Sequence, residues 1–92
     1  MNINEIKFYV KGFLSSIGGV NVDVNIDDFA KINIYVEKKI NGEIYRMDNQ
    51  FDVGVIVRSK NSVSLLRHYL EDLKRRILID FHKTENPNEA NN

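Results

Sequence analysis

The feature that most constrains this chain is the pair Asn41-Gly42, set between two segments that alternate apolar and polar residues. Asn-Gly is the preferred pair for a two-residue type I′ turn, whose twist matches that of the strands it joins. Before it, Ile32, Ile34, Val36 and Ile40 alternate with polar neighbours; after it, Tyr45, Met47, Phe51, Val53, Val55 and Val57 do so. Together they predict a hairpin over 32–57. A two-residue turn sets Ile40 opposite Glu43. Counting outward, Ile32 meets Phe51 and Val36 meets Met47 on the apolar side, while Glu37 meets Arg46 and Lys31 meets Asp52 on the other. Opposite charges facing across a ladder contribute about 0.2–1 kcal/mol each. A slip of one residue would turn every side chain to the wrong face. A break or bulge is expected near Asp48–Gln50, where polar residues interrupt the pattern.

The flanking segments extend the same logic. Ile3, Ile6, Val10, Phe13, Leu14 and Ile17 fall on one side of a helix over 3–17. Gly18-Gly19 stops it, because glycine adopts the left-handed backbone that closes helices. Val20, Val22, Val24 and Ile26 alternate with Asn21, Asp23 and Asn25, which predicts a strand with one wet face. Asp27-Asp28 marks the next turn. A long helix is expected over 59–82, capped by Asn61 or Ser62, with a core stripe of Leu66, Leu70, Leu73, Ile77 and Phe81. Ile77–Phe81 could also be read as a short strand, but no turn signal separates it from Lys74-Arg75-Arg76, which favours helix. The polar residues 84–92 contain the one proline and are expected to form a disordered tail after a single domain spanning 1–83.

These elements imply an α+β domain of order α-β-β-β-α: a three-stranded antiparallel meander with both helices on one face. Asn21, Asp23, Asn33, Tyr35, Glu37, Arg46, Asp48 and Gln50 are expected on the open face.

Function is read mainly by exclusion. Thirteen basic and thirteen acidic residues cancel, whereas a strongly basic nucleic-acid binder shows an excess. With no cysteine there is no disulfide, thiolate metal site or cysteine nucleophile. The amino terminus lacks the features of a signal peptide, and no apolar run approaches the roughly 20 residues needed to cross a bilayer, so a cytoplasmic protein without membrane contact is expected. His68 and His82 lie fourteen residues apart on one helix, about 21 Å by helical rise, too far to share a metal. The adjacent carboxylates Asp27-Asp28 and Glu71-Asp72 point apart and make poor acid–base pairs. No glycine-rich loop follows a strand. No cofactor, metal or catalytic set is expected, which points to binding rather than catalysis.

Three surfaces are candidates. Tyr35, Ile44, Arg46 and Ile56 fall on the predicted open sheet face and would form a protein-binding patch, since tyrosine and arginine often anchor interfaces. Lys60, Arg67, Lys74, Arg75 and Arg76 would supply phosphate contacts if the partner were a nucleic acid, although Glu71, Asp72 and Asp80 are interspersed. Leu65, Tyr69, Leu78 and Ile79 are surplus apolar residues on a helix longer than the sheet needs, and suggest a homodimer through that helix.

The order of elements resembles the double-stranded RNA-binding domain, whose second helix opens with a basic cluster that grips phosphates. In the matching stretch, Ser59-Lys60-Asn61-Ser62-Val63-Ser64, Ser59 and Lys60 fit, whereas Asn61 and Ser64 stand where that family has lysines. The loop Asn25-Ile26-Asp27-Asp28-Phe29 is acidic and lacks the family's Gly-Pro-x-His pattern. In size, composition and lack of motifs the chain is also similar to small phage-encoded inhibitors of bacterial enzymes, some anti-CRISPR proteins among them. The leading expectation is a non-enzymatic module that binds another protein, as an inhibitor or regulator. The alternatives are a nucleic-acid-binding domain and a structural assembly subunit.

Overall fold

The computed structural model describes residues 1–87. Its elements run α1 (Ile3–Ser15), β1 (Val20–Ile26), β2 (Lys31–Ile40), β3 (Glu43–Asp52), α2 (Val53–Arg58) and α3 (Ser62–Glu85). The strands form one antiparallel sheet of order β1-β2-β3.

A capping box starts α1. The Glu5 N–H donates to Asn2 Oδ1 at 2.9 Å, and the Asn2 N–H donates to Glu5 Oε1 at 3.2 Å. Ile6, Val10 and Leu14 form its buried stripe. The helix closes at Ser16, and Gly18 and Gly19 take positive φ of 79° and 67° before β1. The residues of β1 then alternate as expected, with Val24 fully inside.

The hairpin has the expected register throughout: Ile32 faces Phe51, Val36 faces Met47, Glu37 faces Arg46 and Lys31 faces Asp52. Asn41 and Gly42 have φ of 53° and 84°, the two positive values a type I′ turn requires. Pairing continues without interruption through Asp48, Asn49 and Gln50, so the break expected there does not occur. Asn49 keeps its place in the alternation and hydrogen-bonds to α3 through its side chain.

The strand reading of Val53–Val57 is corrected by the structure: β3 ends at Asp52, and the next residues turn into α2. The cause lies in the partner strand. Lys31 already pairs with Asp52, and the residue before it, Ala30, sits in a turn with φ of 57°. A longer β3 would therefore have no strand beside it. Instead, Asp52 Oδ1 accepts from the Gly54 N–H at 2.7 Å and caps a helical turn, while the Val53 N–H donates to the Ala30 carbonyl at 2.9 Å. Val53 and Ile56, three residues apart, become the buried pair. Burial overrides the strand preference of a valine-rich run.

The chain then turns a corner at 59–61. The helix expected over 59–82 is one helix that starts after this corner, at Ser62, with Asn61 in the cap position, its side chain making no capping bond. All five residues of the expected stripe, Leu66, Leu70, Leu73, Ile77 and Phe81, are buried, and Ile77–Phe81 is helical. The helix runs on through Glu85, whose carboxylate meets Lys38 Nζ at 2.6 Å. Of the tail expected over 84–92, residues 88–92 lie outside the described residues.

All helices cover one face of the sheet and share one apolar core with it. No polar or charged residue is buried among the described residues. None of their helices is long and apolar enough to cross a membrane.

Candidate interaction surfaces

Alternation along the strands sends Asn21, Asp23 and Asn25, then Lys31, Asn33, Tyr35, Glu37 and Lys39, then Ile44, Arg46, Asp48 and Gln50 to the face that no helix of the described residues covers. At its centre the Arg46 guanidinium carbon lies 4.1 Å from the Tyr35 ring centroid, in stacking range for a cation over an aromatic face. Arg46 Nε also meets Asp48 Oδ1 at 3.0 Å. Glu37 faces Arg46 in register, but the ion pair goes to Asp48, the next residue on the same face of its own strand. The other expected charge pair, Lys31 with Asp52, forms at 3.7 Å. Asn21, Asp23, Glu37, Tyr35 and Arg46 line a shallow depression of about 140 Å³, whose lining carries one guanidinium and two carboxylates.

A row of amides crosses all three strands beside this centre. Gln50 Nε2 donates to Asn33 Oδ1 at 2.7 Å, and Asn33 Nδ2 donates to Asn25 Oδ1 at 3.1 Å and to Asp27 Oδ2 at 3.3 Å. The row follows from the ladders, in which Asn33 faces both Asn25 and Gln50. Asp27 anchors its end. The Lys31 N–H, and after it the Asn33 amide and Phe29 N–H, hold the Asp27 carboxyl below the usual range against a smaller opposing effect of burial. The face is thus stiffened by its own side chains.

Of the four residues expected to form the sheet-face patch, three share this surface. Tyr35 and Arg46 stack, and Ile44 is 71 % exposed near the hairpin end of the same face. Ile56 is corrected. It lies on α2, 4 % exposed, and belongs to the core because the alternation that would have placed it on the open face stops at Asp52.

The five cations considered for nucleic acid are not gathered into one free surface. Arg67 pairs with Glu71 at 3.1 Å, and Arg75 and Arg76 share Asp72 at 2.6 and 3.2 Å. Lys74 Nζ lies 3.4 Å from Ser16 Oγ and 5.7 Å from the Phe13 ring centroid, closing over the end of α1. Lys60 stands at the corner before α3. Nine residues separate Arg67 from Arg76, about half a revolution around the helix.

The four residues considered for a dimer also divide. Tyr69 packs on Phe51 with ring centroids 4.6 Å apart, and its hydroxyl donates to Asn49 Oδ1 at 2.5 Å. Burial raises its pKa, with smaller contributions from nearby charges. Leu65, four residues before Tyr69, lies on the same flank of α3 and is 39 % exposed. Leu78 and Ile79, 44 % and 47 % exposed, together line an open groove of about 590 Å³ with Lys38 and Phe81.

No family model matches this chain, and no curated protein sequence or solved structure is significantly similar to it. What fold and surface define is a class: a small α+β domain that presents one face of a three-stranded meander.

Proposed function

We propose that this chain is a non-enzymatic interaction module that binds another protein through the open face of its sheet, in the manner of a small inhibitor or regulator. The observation that carries the reading is the Arg46–Tyr35 stack at the centre of a face stiffened by a cross-strand amide row. Arginine and tyrosine are over-represented among residues that dominate interface energetics. A preformed stack reduces the side-chain entropy lost on docking. Ile44 supplies exposed apolar area at the margin. Asp23 and Glu37 beside Arg46 favour a partner of mixed charge over a phosphate backbone. The ion pairs that occupy Arg67, Arg75 and Arg76 weigh the same way against the nucleic-acid alternative.

The test is affinity capture from host lysate with wild type, Tyr35→Ala and Arg46→Ala, followed by titration of the purified captured protein. Truncating a dominant contact costs about 2 kcal/mol or more, so each variant should bind about 30-fold more weakly or worse, with its melting curve little changed. A purified partner that binds both variants as tightly as wild type refutes the assignment of this face. Binding to duplex RNA or DNA that weakens steeply with salt would favour the alternative.

A further inference from the structure

We propose that the outer edge of β3 is a self-pairing edge, which joins two copies of this chain antiparallel into one continuous sheet. This pairing does not require the partner proposed above, although Arg46 takes part in both. It rests on backbone geometry, register and charge.

Among the described residues, the meander leaves β3 with a neighbour on one side only. In a two-residue hairpin the residues flanking the turn, here Ile40 and Glu43, exchange backbone hydrogen bonds, and every second pair does so from there. Glu43, Tyr45, Met47, Asn49 and Phe51 therefore direct their backbone groups to β2. The N–H and C=O groups of Ile44, Arg46, Asp48 and Gln50 point outward. Such edges are usually blunted by proline, by a bulge or by shortness. This strand is ten residues long, contains no proline and pairs without a bulge. The opposite edge, β1, is shorter at seven residues and lies under α1.

Antiparallel pairing about a two-fold axis must match outward-pointing residues with outward-pointing residues, so the axis passes beside a whole residue. Two axes give the longest overlap, one at Met47 and one at Asp48. The axis at Asp48 sets that carboxylate against its own copy. The axis at Met47 sets Arg46 against Asp48 of the second copy, and Asp48 against its Arg46, with Ile44 opposite Gln50. Charge thus selects one register of the two. Arg46 and Asp48 already meet at 3.0 Å with half or more of each side chain exposed, so two copies would bring together an alternating set of two guanidiniums and two carboxylates. Above the seam lies the flank of α3 that carries Tyr69. On it, Leu65 stands one helical turn before Tyr69 and is partly exposed. A two-fold axis would make that flank symmetric as well.

Sedimentation across a concentration series, with Arg46→Asp and Asp48→Arg, tests the register. Each single reversal sets like charges opposite one another at two symmetric positions and should weaken self-association by about tenfold or more. The equimolar mixture of the two variants, in which every facing pair is again opposite in charge, should recover the dimer. The double variant R46D/D48R should recover it too. Amide exchange on the wild-type chain reads the edge directly. The amides of Ile44, Arg46, Asp48 and Gln50 should become protected as the dimer forms. A chain that stays monomeric at millimolar concentration overturns the proposal. So does a dimer indifferent to the single reversals, or one whose four outward amides remain unprotected, as a dimer through α3 alone would leave them.

Discussion

Replacing Ile56 by alanine separates two ways of folding the segment that follows β3. Were the strand to continue, Val53, Val55 and Val57 would face the core and Ile56 would face water. In the helical turn, Val53 and Ile56 are 1 % and 4 % exposed, while Val55 and Val57 are 52 % and 43 % exposed. Ile→Ala at a buried site costs about 2–5 kcal/mol, from lost transfer energy and the cavity left behind. Because α2 has only six residues, it can shift to fill part of that space, which places the cost near about 3 kcal/mol. A chain of this length is stable by about 5–14 kcal/mol, so the loss is a large share. At about 4–8 °C per kcal/mol for a small domain, the melting temperature should fall by roughly 12–24 °C. Val55→Ala removes an exposed, β-branched side chain from a helix and should change stability by no more than about 0.5 kcal/mol. Thermal and urea melts of both variants, followed by circular dichroism, make the comparison, with an unchanged urea slope showing that the folded and unfolded states are still the same ones. If Val55→Ala is the more damaging of the two, the helical assignment and the exclusion of Ile56 from the sheet face are both wrong.

The other predictions concern single backbone positions and one carboxylate. At Gly42 a Cβ would meet nothing within 4 Å, but φ is +84°, so Gly42→Ala should cost about 1–2 kcal/mol through the backbone alone. Gly12 lies inside α1 with equally open surroundings, so Gly12→Ala should stabilise by about 1 kcal/mol, and a fall in melting temperature would contradict the account of α1. Asp27 has a depressed native pKa, so it binds a proton less readily folded than unfolded. Its contribution is complete above the ordinary carboxylate pKa and is lost as pH falls through the lower native value. The stability gap between wild type and Asp27→Ala should therefore be widest near neutrality and narrow below about pH 4 in urea melts; a gap that widens in acid would reverse the sign of the argument.

The parts of this fold that could be read in advance are those where independent local rules agree. Asn41-Gly42 fixes the turn, the turn fixes the register, and the register puts apolar residues on one side and Lys31 opposite Asp52. Few arrangements satisfy all of these together. The run Val53–Val57 has no such redundancy. Five residues of mixed apolar pattern suit a strand or a short helix equally, and the deciding fact is where β2 begins, which depends on the turn at 27–30 and the positive φ of Ala30. Asp52 carries the missed signal, a capping residue two positions before the glycine whose N–H it accepts.

The same distinction governs the surface. That Tyr35 and Arg46 share the open face follows from strand parity, and parity was legible. That Arg46 stacks on Tyr35 and pairs with Asp48 rather than with Glu37 opposite is a choice among rotamers within one face, made where side chains differ by fractions of a kcal/mol in water. Ile56 was misplaced for a different reason, since an error in where a strand stops is inherited by every parity assignment beyond it. The outward-pointing amides of β3 lie before that point. They depend on Asn41-Gly42 and on nothing downstream of Asp52, so the outward set of the proposed pairing edge follows from the hairpin register alone.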